Sequence, residues 1–138
     1  MDRRVVITGV GAICALGHDA PAVWEAMREG RSAIAPLTGF ETQDMRVKVA
    51  AQVRDFDPAA HFDSKKLILL DRVSQFALVA AHEAVAQSGL DFAQGDLRQR
   101  SACVVGTGTG GEETADEGSR RLYGEQIRVC TRSRSCAE

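Results

Sequence analysis

No apolar run in this chain approaches the ~18 residues that a membrane span needs. The N-terminal run, Val5-Val6-Ile7, stops at Thr8-Gly9 and is too short for the apolar core of a secretory leader. No C-x-x-C pair joins the four cysteines, Cys14, Cys103, Cys130 and Cys136, which excludes the usual structural zinc spacing. His18, His61 and His82 are scattered and form no H-E-x-x-H or other ligand spacing, so no metal site is expected. There is no basic excess, with 17 Lys and Arg against 19 Asp and Glu, and hence no electrostatic case for nucleic acid. Low-complexity tracts are missing too. The expectation is a soluble cytoplasmic protein with reduced thiols. A chain of 138 residues suits one domain, and by size it would bury about two-thirds of its unfolded surface.

What is present alternates between strand-like and helix-like patterns. Arg4 to Thr8 is β-branched, apolar and ended by glycine, as a buried strand would be. Asp19 is a good N-cap with Pro21 in the first turn, predicting a helix through Val23, Trp24 and Met27 that stops at Gly30. Trp24 reads as a core anchor on that helix. Residues 31–46 read as loop. Val47 to Val53 alternates like a half-buried strand, and Asp55-Phe56-Asp57-Pro58 breaks it. Ser64 is placed to cap one long helix from about Lys65 to Ser88, ended by Gly89. Alanines at close spacing make it a central helix packed on both sides. Residues 91–100 form a polar connection, and Ser101 to Val105 is the third strand. Cys14 and Cys103 lie in apolar runs and read as small core residues. The order β-α-β-α-β predicts an α/β layered fold.

Two glycine clusters punctuate this order. Gly9-x-Gly11 follows a strand, but Cys14 stands where a dinucleotide turn needs its third glycine, and the helix starts only near Pro21. A tight turn with close backbone packing is the better reading. Gly106, Gly108 and Gly111 do satisfy G-x-G-x-x-G. However, no acidic ribose partner follows at readable spacing, and Glu112-Glu113 would repel a phosphate at that helix start. A small nucleotide-binding module is therefore the minority reading.

Several motifs in order point to a family. Asp2-Arg3-Arg4-Val5-Val6-Ile7-Thr8-Gly9-Val10-Gly11, then Trp24 to Ile34, Leu70-Asp71-Arg72, Phe76 to Ala80, and Val105 to Gly111 resemble β-ketoacyl-acyl-carrier-protein synthases of the synthase II type. Met1 to Leu37 is also similar to nodulation protein E, a synthase that builds unusual acyl chains. The resemblance implies a thiolase-like layered α/β fold, of which this chain holds the first part of the N-terminal half. It also implies a homodimer that transfers an acyl group to a cysteine and condenses it with malonyl on acyl carrier protein, releasing carbon dioxide, with no cofactor.

By the same resemblance Gly108, Thr109 and Gly110 wall the acyl pocket. Thr109 is polar where the fatty-acid enzymes usually have an apolar side chain. Lys65, Lys66 and Arg72 are the basic candidates for carrier-protein contact, because Ile68 and Leu69 replace residues often basic in the family. The family's nucleophilic cysteine and two histidines lie further along than this chain extends, so no catalytic residue is assigned. Residues 1–126 read as the matching portion, and 127–138, rich in Arg and Ser, as a divergent disordered tail from a shifted reading frame. The expectation is a truncated synthase, inactive in condensation alone and prone to aggregate through an open strand edge, or a non-catalytic partner of a full-length synthase.

Overall fold

The computed structural model describes residues 4–39, 42–43 and 45–124. Cys130, Cys136 and the tail 127–138 lie outside the described residues. The elements are α1 (Ala20–Arg28), β1 (Ile34–Pro36), β2 (Val49–Ala51), a 3₁₀ turn (Pro58–Ala60), α2 (Ser64–Leu67), α3 (Arg72–Ser88), α4 (Leu97–Arg100) and α5 (Glu112–Gly124).

Helix α1 forms for the reason its sequence states. The Asp19 carboxylate accepts a hydrogen bond from the Ala22 amide at 2.7 Å, capping donors that the first turn cannot satisfy itself. Gly30 follows with φ 66, beyond the helix end. The face it buries differs from the expected one. Ala26 is fully buried, whereas Trp24 is 62% exposed and Met27 is exposed as well. Trp24 is therefore not a core anchor: among the described residues no layer covers that side of α1.

The segment read as loop contains a strand. β1 pairs antiparallel with β2, with Ile34 opposite Ala51 and Pro36 opposite Val49. The predicted strand at Val47–Val53 shortens to its centre. Flanking side chains extend the tie: Gln52 both accepts from the Thr38 amide and donates to the Thr38 carbonyl, and Arg54 donates to the Pro36 carbonyl at 2.7 Å. Pro36 needs no ladder donor at a strand end, which is where proline is tolerated.

The single long helix is two helices. Asp63, not Ser64, caps α2 by accepting from the Lys66 amide. Asp71 then restarts the chain in an extended conformation (φ −72, ψ 169) and caps α3 by accepting from the Ser74 amide at 2.8 Å. Two Asp caps eight residues apart explain the break, since each competes for local backbone donors. Gly89 ends α3 in the left-handed region, as expected of a glycine there. The polar connection after it carries the one-turn α4.

The core is small and lies at the junction of the hairpin, the 3₁₀ turn and α3. Phe56 and Phe62 are buried there, and Gln75 is buried with its amide donating to the Leu70 carbonyl. Phe76 meets Phe56 edge-on at 5.0 Å between centroids, and His61 stacks on the Phe56 ring at 5.4 Å. Asp55, at φ 57, turns the chain immediately before Phe56; Asp tolerates that region better than most residues.

Two predicted strands do not form a sheet. Residues 4–8 and 101–107 belong to no helix or strand and pair with no strand among the described residues. Val5 and Val104 are each 94% exposed, and Cys103 is exposed rather than a core residue; Cys14 is half-buried. The expected two-thirds burial and two-sided packing of the central helix are not reached, because Ala77, Leu78, Ala81 and Val85 of α3 also face outward. The described structure is thus a set of helices with a two-stranded sheet, not a complete layered β-α-β-α-β unit.

Candidate functional site

Helix α3 organises both glycine clusters. Gly9 and Gly11 lie against its C-terminal half. A Cβ added at Gly9 would collide with the Ala84 carbonyl oxygen, and one at Gly11 with that of Ala80. The backbone approach leaves no room for any side chain. Hydrogen bonds hold it: the Val10 amide donates to Gln87 Oε1 at 2.6 Å, and the Ala12 amide to Glu83 Oε2 at 2.9 Å. The other oxygen of Glu83 accepts from the Ala20 amide at 2.8 Å, so one carboxylate ties the loop and the start of α1 to α3. A phosphate has no place at this turn, which supports the close-packing reading. The bridging acid was missed from sequence. Its signal was a lone Glu among Ala80, Ala81 and Ala84, the single acidic residue of α3.

The second cluster meets the N-terminal end of α3. A Cβ at Gly110 would come 3.0 Å from Val73 Cγ1, and one at Gly111 3.1 Å from Asp71 Oδ2. Gly111 has φ 77, which turns the chain into α5. The two segments enclose a recess of about 250 Å³, lined by Asp71, Arg72, Val73, Phe76, Thr109, Gly110, Gly111 and Glu112. Its lining joins the apolar Val73 and Phe76 with the acidic Asp71 and Glu112. Hydrogen bonds from the Ser74 amide and hydroxyl, and from the Val73 amide, hold the Asp71 carboxyl below the ordinary carboxylate range, with burial opposing them. An ionised Asp71 beside Gly111 repels a phosphate further. Such a lining suits an apolar group better than an anion.

The residues assigned from sequence are only partly gathered. Thr109 and Gly110 line this recess, and so does Arg72. A side chain at Gly108 would meet nothing within 4 Å, and Gly108 does not line the recess. Lys65 and Lys66 lie on α2 and are exposed, with the Lys66 ammonium 3.9 Å from Asp63. Arg72 is engaged in the fold: it donates to the Val53 carbonyl at 2.9 Å, and its guanidinium sits 4.9 Å from the Phe76 ring centroid. Two larger recesses, of about 680 and 490 Å³, flank Gln52, Arg54 and Asp55 on the hairpin side. They were not foreseen from sequence, because they depend on β1 pairing with β2. Among the described residues no group of three or more His, Cys, Asp or Glu is placed to hold a metal. No described helix is long and apolar enough to cross a membrane.

The family model "Beta-ketoacyl synthase, N-terminal domain" matches residues 2–136. The chain belongs to the β-ketoacyl synthase family. It is 44% identical over 122 residues to nodulation protein E of Rhizobium meliloti (strain 1021), covering 88% of this chain and 30% of that relative. It is 38% identical over 109 residues to 3-oxoacyl-[acyl-carrier-protein] synthase 2 of Coxiella burnetii (strain RSA 493 / Nine Mile phase I), covering 79% of this chain and 26% of that protein. With the synthase 2 of Staphylococcus aureus (strain COL) the identity is 35% over 121 residues, covering 88% of this chain and 29% of that protein. The chain thus spans less than a third of the length of these relatives. Family membership carries the thiolase-like α/β fold expected from the motifs, of which the described residues show helices and one short hairpin.

Proposed function

We propose that this chain supplies the opening part of the N-terminal half of a decarboxylating β-ketoacyl-acyl-carrier-protein synthase. In this reading the turn Gly108-Thr109-Gly110 walls the acyl pocket, and Lys65, Lys66 and Arg72 face the acyl carrier protein. The active species is a cytoplasmic homodimer. The single observation that carries the reading is the docking of a family glycine turn onto the start of α3, so that Thr109 lines one recess with Val73 and Phe76. The acidic residues Asp71 and Glu112 in the lining of the same recess favour an uncharged acyl chain over a nucleotide phosphate.

The residues of this chain then bind and shape rather than react. Val73 and Phe76 take apolar surface from water, and the Thr109 hydroxyl limits how far an acyl chain extends. The acyl thioester forms on a cysteine that belongs to the sequence following the matched segment in a complete synthase. Lys65 and Lys66, exposed on α2, offer charge to an acidic carrier surface. Arg72, tied to Val53 and Phe76, contributes as a fixed edge of the recess. The division into residues 1–126 and a divergent tail 127–138 belongs to the same proposal.

The experiment uses the purified chain with labelled acyl-carrier protein and malonyl-carrier protein. No label is expected on the chain and no condensation product is expected. An acyl-enzyme on this chain that a thiol reagent blocks overturns the proposal.

A further inference from the structure

The recess of about 680 Å³ on the hairpin side differs in chemistry from the one beside Thr109. Residues following β1 and β2 line it together with Arg72, the first residue of α3. Val53 is the one apolar side chain in the lining, and Thr38, Gln52, Arg54, Asp55 and Arg72 are polar or charged. An acyl chain would find little to bury against here. A polar ligand would find two cations.

Those two arginines are held in place without being neutralised. Arg28, Arg31, Arg100, Arg120 and Arg121 each pair with a carboxylate. Arg54 and Arg72 make no such pair among the described residues. Each instead donates from Nη2 to a backbone carbonyl, Arg54 to Pro36 at 2.7 Å and Arg72 to Val53 at 2.9 Å. Arg72 also lies against two rings, 4.9 Å from the Phe76 centroid and 5.9 Å from that of Phe56. A carbonyl orients a guanidinium but leaves its full charge. Among the described residues the remaining N–H groups of both side chains have no acceptor. Side chains fixed in this way have already lost much of the freedom that ligand binding would otherwise have to remove.

We propose that this recess binds an oxyanion of the phosphate-monoester class, carried on a small polar molecule. One guanidinium fork already satisfies the two oxygens of a carboxylate. Two guanidiniums from separate elements call for an acceptor with more oxygens, and the three free oxygens of a phosphate monoester serve both. Asp55 lines the same recess and opposes the anion, which limits the affinity. The inference goes beyond the acyl-pocket reading and does not rest on it, since the two recesses share only Arg72.

The test titrates the whole chain with inorganic phosphate, with methyl phosphate, and with acetate as the carboxylate arm. Ionic strength is held constant with chloride, so that general screening is the same throughout. Amide NMR spectra report the site. Inorganic phosphate and methyl phosphate are expected to saturate in the millimolar range and to shift the Thr38, Gln52, Val53 and Arg54 amides. Acetate is expected to bind at least about tenfold more weakly. Arg72→Gln is expected to weaken phosphate binding at least about tenfold. Asp55→Asn is expected to tighten it by about threefold or more, because an opposing charge is removed. Asn tolerates the φ of 57 at that position, and the change touches neither arginine contact. This second variant therefore carries the test even if Arg72→Gln fails to fold.

Three outcomes reduce the site to an adventitious ion only and overturn the proposal: no saturation by either phosphate, shifts confined to Lys65 and Lys66, or an affinity that Asp55→Asn leaves unchanged. Acetate binding as tightly as phosphate overturns the assignment to phosphate.

Discussion

Gly9 and Gly11 meet α3 through backbone, whereas Gly110 and Gly111 meet it through side chains. At the first contact the carbonyl oxygens of Ala80 and Ala84 occupy the space a Cβ would need, and Glu83 and Gln87 fasten the loop. At the second, Val73 and Asp71 side chains stand off the turn and a recess of about 250 Å³ remains. Two clusters of similar composition thus do different work on one helix. The difference comes from what α3 offers: small alanines at one end permit close approach, and Val73 with Phe76 at the other hold the turn away.

The comparison breaks most visibly at Gly11. Gly11→Ala forces helix and loop apart and is expected to cost about 3 kcal/mol, the upper range for overpacking, read as a lower urea midpoint at unchanged slope. Glu83→Ala comes next. It leaves the Ala12 and Ala20 amides without their acceptor and is expected to cost about 2 kcal/mol; Glu83→Gln, which retains an acceptor oxygen, is expected to lose less. A similar loss for both variants would mean that the carboxylate charge and its second bond carry the tie.

Asp71 sharpens the other end. Its folded pKa is depressed by the Ser74 and Val73 donors. The stability it contributes is therefore complete above the unfolded carboxylate range, near pH 4, and is lost as pH falls through the lower folded value. Thermal melts of Asp71→Asn against parent are expected to differ at pH 7 and to converge in strong acid; a constant gap would remove Asp71 from the linkage. The smallest effect belongs to Gly110→Ala. Its Cβ meets the Val73 methyl at 3.0 Å and the Thr107 hydroxyl oxygen at 3.5 Å, both side-chain atoms, and a cost of about 1 kcal/mol is expected. If Gly110→Ala matched Gly11→Ala in urea melts, the contrast between the clusters would fail.

Much of the local structure was legible because its causes are local. Asp19, Gly30 and Gly89 act within one turn of their own position, so both ends of α1 and the C-terminal end of α3 could be read directly. The close-packing reading of Gly9-x-Gly11 needed only a missing third glycine and a helix that starts late, near Pro21. The split between α2 and α3 was misread because Asp71 sat in an apolar stretch that looked continuous, although its capping chemistry was in plain sight. Trp24 and Cys103 were misread for a different reason: an apolar residue is buried only if another layer comes to cover it. For the candidate site, Thr109 and Gly110 came from family motifs, while the walls opposite them, Val73 and Phe76, came from packing.

By itself the sequence determined the caps, the turns, the glycine positions that tolerate no side chain, and membership of the β-ketoacyl synthase family. These depend on backbone sterics, on nearest-neighbour hydrogen bonds, or on motifs in order. Only the tertiary structure decided that Ile34–Pro36 pairs with Val49–Ala51, that Glu83 bridges two distant amides, and that Arg72 and Thr109 border one recess. It also decided that Val5 and Val104 remain in water. Each of these joins residues far apart in the chain, and such contacts form only when both surfaces are folded and present.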